Sequence, residues 1–388
     1  MGIYSEYINR KMTFDQITAE RKSQLKKISQ IRKRDVVVYA SDSSKSNAPV
    51  SILPPDLLPF KDQLSYVKTD SVDVIIETPG GIAETVEDMV ELIRDKYEKV
   101  GIIIPGSAKS AGTIFSMAGD EILMGNTSSL GPIDAQVVSN GKRFSADAFI
   151  DGLEKIKTEV IDTGKLNPAY IPMLQNISPG EIQHFENAQN FSKTLVTNWL
   201  SKYKFKYWEK HKSTGEVVTQ SQKEYRAKEI AAKLCKHSDW LTHGRSIRIK
   251  DLKEMKLEIY NYSSNAALND AIERYYTLLR MSFDLTGIYK IFETCNSQIY
   301  QSISQVNMPA MPIKKDVKPQ LAHAEFICPK CTSKYKIQLN LVKNMPIEPS
   351  SVPYPKDDNF TCPNCGTITT LIPMRLQLEA QTGLKVVL

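Results

Sequence analysis

The sequence lacks any run of about 18 apolar residues, the length that a membrane-spanning helix requires. Its N-terminal stretch MGIYSEYINRKMTF also lacks the apolar core of a secretion signal. The net charge of +6 is too weak a basic excess to indicate nucleic-acid binding by itself. These absences lead us to expect a cytoplasmic protein with no membrane partner.

The composition is that of an ordinary globular protein, with 41% hydrophobic and 24% charged residues. A length of 388 residues predicts two or three domains. Of the six cysteines, four form two Cys-x-x-Cys pairs, and we expect the other two, Cys235 and Cys295, to be buried thiols. This usage favours a metal site in a reducing compartment over a disulfide framework.

The paired cysteines lie near the C-terminus, in CPKC and CPNCG. Each pair can present two thiolates to one ion, and two such pairs make the closed tetrahedral site that is typical of structural zinc. The apolar runs KYKIQLNLV and TITTLIPMRL follow the pairs and predict the strands of a zinc ribbon. We expect one structural Zn²⁺ per chain, with an iron centre of similar geometry as the alternative. Its ligands are Cys328, Cys331, Cys362 and Cys365.

Apolar strands alternate with helices in the first half of the chain. The pattern predicts strands over 72–78, 100–106 and 121–125, a helix over 82–99 and a short helix over 110–119. Such alternation is typical of parallel strands joined by right-handed crossovers. We also expect a strand over 36–40 and helices over 13–34, 178–199, 221–237 and 266–303. A stretch rich in proline and lysine over 304–320 predicts a linker.

Two loops at the carboxyl ends of predicted strands contain residues suited to acyl transfer. ETPGGIAE spans 77–84 and PGSAKSAGT spans 105–113. Ser110 would begin a helix, where unpaired backbone N–H groups favour negative charge. A Gly-Gly pair in the first loop could present a second N–H, which would complete an oxyanion hole. The residues alone leave this interpretation open beside a second one, a turn whose small residues serve packing.

The stretch from TPGGIAETVEDMVELI through PGSAKSAGTIF to LGPIDAQV resembles the serine dehydrogenase proteinase family of the Clp/crotonase superfamily. The resemblance covers about 30–260. It implies an α/β fold, a spiral of ββα units that assembles into oligomers, and peptide hydrolysis by a serine. It also implies Ser110 as nucleophile, with the amides of Ala111 and of Gly80 or Gly81 as oxyanion donors.

The general base is where the sequence departs from that resemblance. The Clp peptidase carries its histidine in the segment that matches LGPIDAQ, and this chain has none there. We expect His243 to be the base, oriented by Asp134. The alternatives are Lys142 or Lys155 in a Ser/Lys dyad, Lys109 beside the nucleophile, which we interpret as a solvated bystander, or no working base.

The resulting domain prediction has four parts: an N-terminal helix over 1–35, a Clp/crotonase-like peptidase core over 36–262, a helix and linker over 263–320, and a zinc ribbon over 321–388. We expect a homo-oligomeric serine peptidase that acts on peptides or unfolded protein. The alternatives are an inactive scaffold that uses the ribbon for recognition and a crotonase-type enzyme acting on acyl thioesters. Lysines interleave with aromatics over 201–212, which makes nucleic acid a conceivable partner, but a solvated helix end is favoured.

Overall fold

The computed structural model describes residues 2–45, 47–65, 69–139, 141–211, 214–303, 320–382 and 384–387. The chain forms two compact units, one within residues 1–305 and the other within 306–388. Across the described residues, no helix is both long enough and apolar enough to cross a membrane. The predicted linker over 304–320 lies outside the described residues except for Gln320.

The strands of the first unit are mostly short. They are β1 (Asp35–Ser41), β2 (Ser71–Glu77), β3 (Lys99–Ile104), β4 (Ser107–Ala108), β5 (Glu121–Met124), β6 (Ser129–Leu130), β7 (Gln136–Ser139), β8 (Lys142–Ser145), β9 (Tyr260–Asn261), β10 (Ile288–Thr294) and β11 (Gln298–Ser302).

The helices of the first unit alternate with those strands at first and then run together. They are α1 (Ile3–Asn9), α2 (Phe14–Arg32), α3 (Leu57–Leu64), α4 (Ala83–Arg94), α5 (Ala111–Ser116), α6 (Ala146–Thr163), α7 (Ile171–Leu174), α8 (Pro179–Trp199), α9 (Gln220–Cys235), α10 (His237–Trp240), α11 (Ile249–Glu254) and α12 (Ala266–Asp284). A π-helical turn, Leu200–Lys204, extends α8.

A seven-stranded sheet organises the first unit, with the order β11-β10-β1-β2-β3-β5-β9. The five strands from β1 to β9 run parallel, and β10 and β11 are antiparallel additions at one edge. Parallel strands are stable when helices cover both faces. The side chains of β1 illustrate this, because Val37 and Tyr39 enter one buried cluster while Val36 and Val38 enter another.

A second, shorter layer of pairings lies at the carboxyl ends of the parallel strands. Thr78 bridges Ala108, Ile52 bridges Gly81, and β4 pairs with β6, all in parallel. The strands β1, β2 and β3 are each followed by a short segment of the second layer and then by a helix. This repeat of ββα units, together with the parallel sheet, confirms the α/β fold class predicted from the sequence.

Two helix starts that the sequence predicted are present with their capping hydrogen bonds. The Gln16 backbone N–H donates to Thr13 Oγ1, and the Thr13 backbone N–H donates to the Gln16 side chain. Ser178 and Glu181 form the same reciprocal pair at the start of α8. Each pair satisfies backbone donors that a helix start would leave unpaired.

The predicted helix over 266–303 is wrong in its second half. Helix α12 ends at Asp284, and the chain then forms the antiparallel hairpin of β10 and β11. The sequence IYKIFET alternates β-branched and aromatic residues, which suits a strand, and Gly287 interrupts the helical pattern before it. Because β10 pairs with β1, residues that we predicted to lie in a helix outside the peptidase core form a strand of the main sheet.

The second unit contains β12 (Leu321–Ile327), β13 (Lys334–Asn340), β14 (Val352–Pro353), β15 (Asn359–Thr361), β16 (Ile368–Thr370) and α13 (Ile372–Thr382). The run KYKIQLNLV forms β13 as predicted. The run TITTLIPMRL is a strand only as far as Thr370 and then becomes α13, whose first turn contains Pro373. Proline suits the first turn of a helix because the N–H it lacks would be unpaired there.

A buried ion pair links β10 to the loop before α3. The side chains of Lys290 and Asp56 are each 1% exposed, and Lys290 Nζ lies 2.8 Å from Asp56 Oδ2. Tyr39 donates a hydrogen bond to the same carboxylate, and Lys290 also donates to the Ser51 carbonyl oxygen. Every charge of the pair therefore has partners, which is the condition under which a buried pair is tolerated.

We expect Asp56→Ala to lower the free energy of unfolding by about 3–5 kcal/mol, because it leaves the ammonium of Lys290 buried without a counter-charge. Urea denaturation of the purified protein measures the change. The double variant Asp56→Ala/Lys290→Met should recover part of the loss, since it removes both charges.

The matched control is Asp88→Ala, which removes a carboxylate from an exposed position of α4. Its unfolding free energy should stay within about 0.5 kcal/mol of the wild type. Equal losses in Asp56→Ala and Asp88→Ala would contradict a special role for the buried pair.

Candidate functional site

Ser110 occupies an unusual backbone conformation between β4 and α5. Its φ of 50° and ψ of −117° lie outside the regions that residues with a side chain normally adopt. Such a conformation costs about 1–3 kcal/mol and persists only where the surroundings fix it. It makes a sharp turn from strand to helix, which presents the side chain at the tip of the turn.

Close backbone approach around this turn requires residues without a Cβ. A Cβ on Gly80 would lie 2.7 Å from both Ser110 Cβ and the Lys109 carbonyl oxygen, and a Cβ on Gly112 would lie 2.5 Å from Thr78 Cγ2. Gly80 also has a φ of 106°, which disfavours any side chain there. The Gly-Gly loop after β2 and the Ser110 turn are therefore in direct contact.

The backbone N–H groups predicted to form an oxyanion hole are those of Ala111 and of Gly80 or Gly81. Gly80 N–H donates to Thr78 Oγ1. Within the described part of the chain, the N–H groups of Gly81 and Ala111 have no such acceptor. Gly81 lies in an exposed loop, and Ala111 opens α5, where the helix dipole favours negative charge. Of the two glycines considered from the sequence, Gly81 is thus the one with a free donor.

A single antiparallel bridge explains why Asp134 and His243 meet although they are far apart in sequence. Leu130 and Ile247 exchange two backbone hydrogen bonds, of 2.9 and 3.0 Å. Asp134 lies four residues after Leu130 and His243 four residues before Ile247, so the bridge joins the two segments that carry them. His243 Nδ1 lies 2.7 Å from Asp134 Oδ1.

A second histidine shares the same carboxylate. His237 Nδ1 lies 2.9 Å from Asp134 Oδ2, and the Gln136 side-chain amide also donates to that oxygen. Burial alone would raise the pKa of Asp134, but the hydrogen bonds from His243 and His237 outweigh it and hold the pKa below its usual range. An ionised Asp134 accepts Nδ1–H from each ring, which leaves Nε2 of each neutral imidazole as the basic nitrogen. Sequence reasoning missed His237, because nothing in its position indicated a contact with Asp134.

The structure brings Asp134 and His243 together, but neither forms a hydrogen bond with Ser110. Among the described residues, Ser110 Oγ has no hydrogen-bond partner. The alternative bases Lys142 and Lys155 are exposed, at the start of β8 and on α6.

Lys109 corrects one expectation from the sequence, since it is half-buried rather than solvated. Its Nζ donates hydrogen bonds to the carbonyl oxygen of Leu130 at 2.8 Å and to Ser246 Oγ at 3.0 Å. Its side chain therefore extends toward the segments of Leu130 and Ser246.

Glu77 is a buried carboxyl at the end of β2 that sequence reasoning did not single out. It accepts a 2.7 Å hydrogen bond from the Ser107 backbone N–H, and the Ser107 and Tyr276 hydroxyls donate to it over longer distances. Burial raises the pKa of Glu77 to about 7, although the Ser107 hydrogen bonds and the charge of Arg280 oppose the rise. Glu77 thereby joins the strand before the Gly-Gly loop to the strand before Ser110.

The second unit brings the four predicted cysteines together. Their sulfur atoms all lie within 4.8 Å of one another, with 3.6 Å separating Cys328 Sγ from Cys365 Sγ and Cys331 Sγ from Cys362 Sγ. A tetrahedral site with Zn–S bonds of about 2.3 Å places its sulfurs about 3.8 Å apart, so this cluster fits a metal ion such as zinc.

Both cysteine pairs adopt the same turn. The N–H of Thr332 donates to the Cys328 carbonyl oxygen, and the N–H of Gly366 donates to that of Cys362. The two donors stand at equivalent positions and both have positive φ, 58° and 72°. Gly366 adopts that conformation freely, whereas Thr332 does so at a cost. Hydroxyl groups surround the sulfurs, among them Tyr335 at 3.2 Å from Cys362 Sγ, and can donate to thiolates.

Comparison with protein families finds a match for a segment of the first unit. Residues 64–172 match the family of ClpP-like SDH-type serine proteinases, a segment that contains the Gly-Gly loop, Ser110 and Asp134. The resemblance to the serine dehydrogenase proteinase family predicted from the sequence is therefore confirmed over these residues.

Two curated relatives come from Methanocaldococcus jannaschii. The uncharacterized protein MJ1495 is 27% identical over 188 residues, which cover 48% of this chain and 51% of that protein. The uncharacterized protein MJ0137 is 26% identical over 192 residues, covering 50% of this chain and 54% of that protein. The chain thus spans about half the length of the curated relatives it matches.

Solved structures of two proteases also align with this chain. A mutant of the membrane-bound stomatin-specific protease 1510-N aligns with 16% identity and a TM-score of 0.32, covering 54% of this chain and 74% of that one. ClpP1 from Listeria monocytogenes aligns with 10% identity and a TM-score of 0.31, covering 61% and 97%. At such scores these likenesses carry no argument about the site.

The raised pKa of Glu77 makes a prediction about stability and pH. Between its ordinary pKa of 4.5 and about 7, the folded protein holds a proton on Glu77 that the unfolded chain releases. Stability therefore falls as pH rises through this window, by at most about 1.4 kcal/mol per pH unit. In Glu77→Gln this part of the pH dependence should be absent, as urea denaturation at several pH values would measure.

Glu98→Gln is the control, since it neutralises an exposed carboxylate and should leave the pH dependence as in the wild type. If wild type and Glu77→Gln instead lose stability in parallel between pH 5 and pH 7, Glu77 is not the group that titrates there.

Proposed function

We propose that the protein is a serine peptidase in which Ser110 forms an acyl-enzyme. The observation that carries the proposal is the backbone of Ser110, whose φ of 50° is maintained at a strand–helix turn. A turn required only for packing would accept glycine there without strain. A strained serine beside free N–H groups is what a nucleophile requires.

In this proposal Ser110 Oγ attacks the carbonyl carbon of a peptide bond, and His243 Nε2 takes the proton. The N–H groups of Gly81 and Ala111 donate to the oxyanion that forms. The C–N bond then breaks, His243 returns the proton to the leaving amine, and a water molecule hydrolyses the acyl-enzyme by the same route. Asp134 holds the imidazole by Nδ1 and stabilises its charged form.

Ser110 Oγ has no hydrogen-bond partner among the described residues, so the transfer of its proton to His243 requires a further step that brings the two together. Catalytic hydrogen bonds are often long before substrate binds and shorten in the complex. We propose that peptide binding, or assembly into a homo-oligomer, brings His243 Nε2 to Ser110 Oγ. Peptides or unfolded segments are the proposed substrates, and the cytoplasm is the proposed location.

A second candidate function follows from the same free hydroxyl. Without a closed path from serine to base, the first unit could act as an inactive oligomeric scaffold, with the second unit as its recognition element. The strained conformation of Ser110 has no purpose in a scaffold, so the peptidase is the better supported function.

We propose further that the four cysteines hold one structural Zn²⁺ per chain. All four positions of the tetrahedron are filled by Cys328, Cys331, Cys362 and Cys365, which leaves no open position for a substrate. The ion would connect the turn after β12 to the turn after β15 and so stabilise the small core around Phe360.

A fluorophosphonate probe tests the peptidase. We expect it to label the wild-type protein and not Ser110→Ala, because the phosphonyl group reacts with an activated serine. Ser221→Ala changes an exposed serine of α9 and should label normally. A wild-type protein that fails to react would contradict the peptidase and favour the scaffold.

The two histidines on Asp134 form a matched pair for the base. His243→Ala should lower the labelling rate and peptide hydrolysis by at least about 100-fold, the range that general base catalysis supplies. His237→Ala removes the other partner of Asp134 and should retain most of the activity. The reverse order of effects would assign the base to His237, and normal labelling in both variants would exclude a histidine base.

Metal analysis tests the cysteine site. We expect about one zinc per chain in the purified protein, and a loss of zinc in Cys328→Ser, since three thiolates hold the ion more weakly. Cys295→Ser, which replaces a cysteine outside the cluster, should keep its zinc. Finding neither zinc nor iron in the wild-type protein would refute the site.

A further inference from the structure

Lys109 is held by segments that also carry the proposed catalytic pair. Its Nζ donates to the Leu130 carbonyl oxygen at 2.8 Å, to Ser246 Oγ at 3.0 Å and to the Arg245 carbonyl oxygen at 3.4 Å. Leu130 and Ile247 form the antiparallel bridge that joins the segments of Asp134 and His243. The ammonium therefore contacts both sides of that bridge from the residue next to Ser110.

The surroundings are shaped for the lysine side chain. A Cβ on Gly131 would lie 2.9 Å from Lys109 Cδ and 3.5 Å from its Cα and Cβ, so the methylene stem packs directly on the Gly131 backbone. The same glycine accepts and donates hydrogen bonds with Thr113 of α5. Two contacts from the Ser110 turn, by Lys109 and Thr113, thus meet the segment that leads to Asp134.

The partners of Lys109 are those of an ammonium and not of an amine base. An ammonium has three protons to donate and no lone pair, and the two carbonyl oxygens and one hydroxyl around Nζ can all accept. A neutral lysine acting as a base would instead need its lone pair turned toward Ser110 Oγ, and Nζ makes no hydrogen bond there among the described residues.

We propose that Lys109 is a positioning residue, whose ammonium holds the Ser110 turn against the bridge that joins the segments of Asp134 and His243. The proposal rests on the peptidase function proposed above. It gives the lysine beside the nucleophile a role in orienting the serine and the base toward each other, with no contact to the substrate.

The charge of Lys109 gives this role a pH dependence of known sign. Burial and, to a smaller extent, the charge of Arg248 lower the pKa of Lys109 to about 8, although the charge of Glu77 acts in the opposite direction. Above that pH the ammonium loses a proton and one donor, so a positioning lysine makes the activity fall. A lysine that served as general base would make the activity rise over the same range, because the neutral amine is its active form.

Kinetics of peptide hydrolysis test the proposal, with Lys109→Met, Lys109→Arg and the control Lys27→Met, an exposed lysine of α2. We expect Lys109→Met to lower kcat at least about tenfold with little change in KM, since misplacement of reacting groups acts on the transition state. Lys109→Arg should recover part of kcat because it keeps the charge and the donors. The fall in wild-type kcat above a pH of about 8 should be absent from Lys109→Met.

Two results would overturn the proposal. One is a kcat in Lys109→Met equal to that of Lys27→Met. The other is a wild-type kcat that rises through a pH of about 8 together with an inactive Lys109→Arg, which would make Lys109 the base.

A second measurement tests the contact of Lys109 independently of the proposed peptidase activity. In a double-mutant cycle, Lys109→Met and Ser246→Ala should be non-additive in the denaturant midpoint, because the two side chains share a hydrogen bond. The cycle needs no activity. If the fluorophosphonate probe fails to label the wild-type protein but the two substitutions are non-additive, the peptidase is refuted and the contact between Lys109 and Ser246 is retained. Additive effects of the two substitutions would refute that contact, whether or not the probe reacts with Ser110.

Discussion

The left-handed backbone of Ser110 is the constraint on which the candidate site depends. A serine with a φ of 50° is stable only if its neighbours exclude the relaxed conformations. Here Gly80 contacts the turn where a Cβ would collide, Glu77 accepts the N–H of Ser107 just before it, and Thr113 binds the Gly131 backbone just after it. Glu77 and Gly80 belong to the segment at the end of β2 and Gly131 to a second segment, so the strain is opposed from two sides.

The proposed catalytic pair lies near one backbone bridge. The Leu130–Ile247 bridge joins the segments that carry Asp134 and His243, and the hydrogen bond between these two side chains completes the contact. Lys109 binds at that bridge from the Ser110 turn. The proposed nucleophile, base and carboxylate are therefore linked by contacts near Leu130, although their positions in the sequence span more than a hundred residues.

Much of this arrangement could be predicted from the sequence, because the signals were local. The apolar alternation over 72–125 gave the parallel strands, and the spacing of cysteines gave the sulfur cluster. The hairpin of β10 and β11 could not be predicted in the same way. Its residues follow a strongly helical pattern in α12, and what makes Ile288–Thr294 a strand is the edge of β1, a partner far away in the chain.

The parts of the site that sequence reasoning missed are contacts made by three ionisable side chains. Nothing in the sequence shows that Glu77 is buried, that Lys109 bends away from Ser110, or that His237 reaches Asp134. Each contact requires knowing which segments the fold brings together.

Of these groups, Glu77 and Lys109 adjoin the Ser110 turn, and burial shifts the pKa of each. Deprotonation of Lys109 removes a donor from the bridge, and ionisation of Glu77 adds a buried charge at the strand that precedes the turn. Both changes occur as pH rises. The first weakens a contact of the Ser110 turn, whereas the second strengthens the hydrogen bonds from Ser107 but lowers the stability of the fold, because it places a charge in a buried position. Burial thus links the stability around the strained serine to the protonation of Lys109 and Glu77.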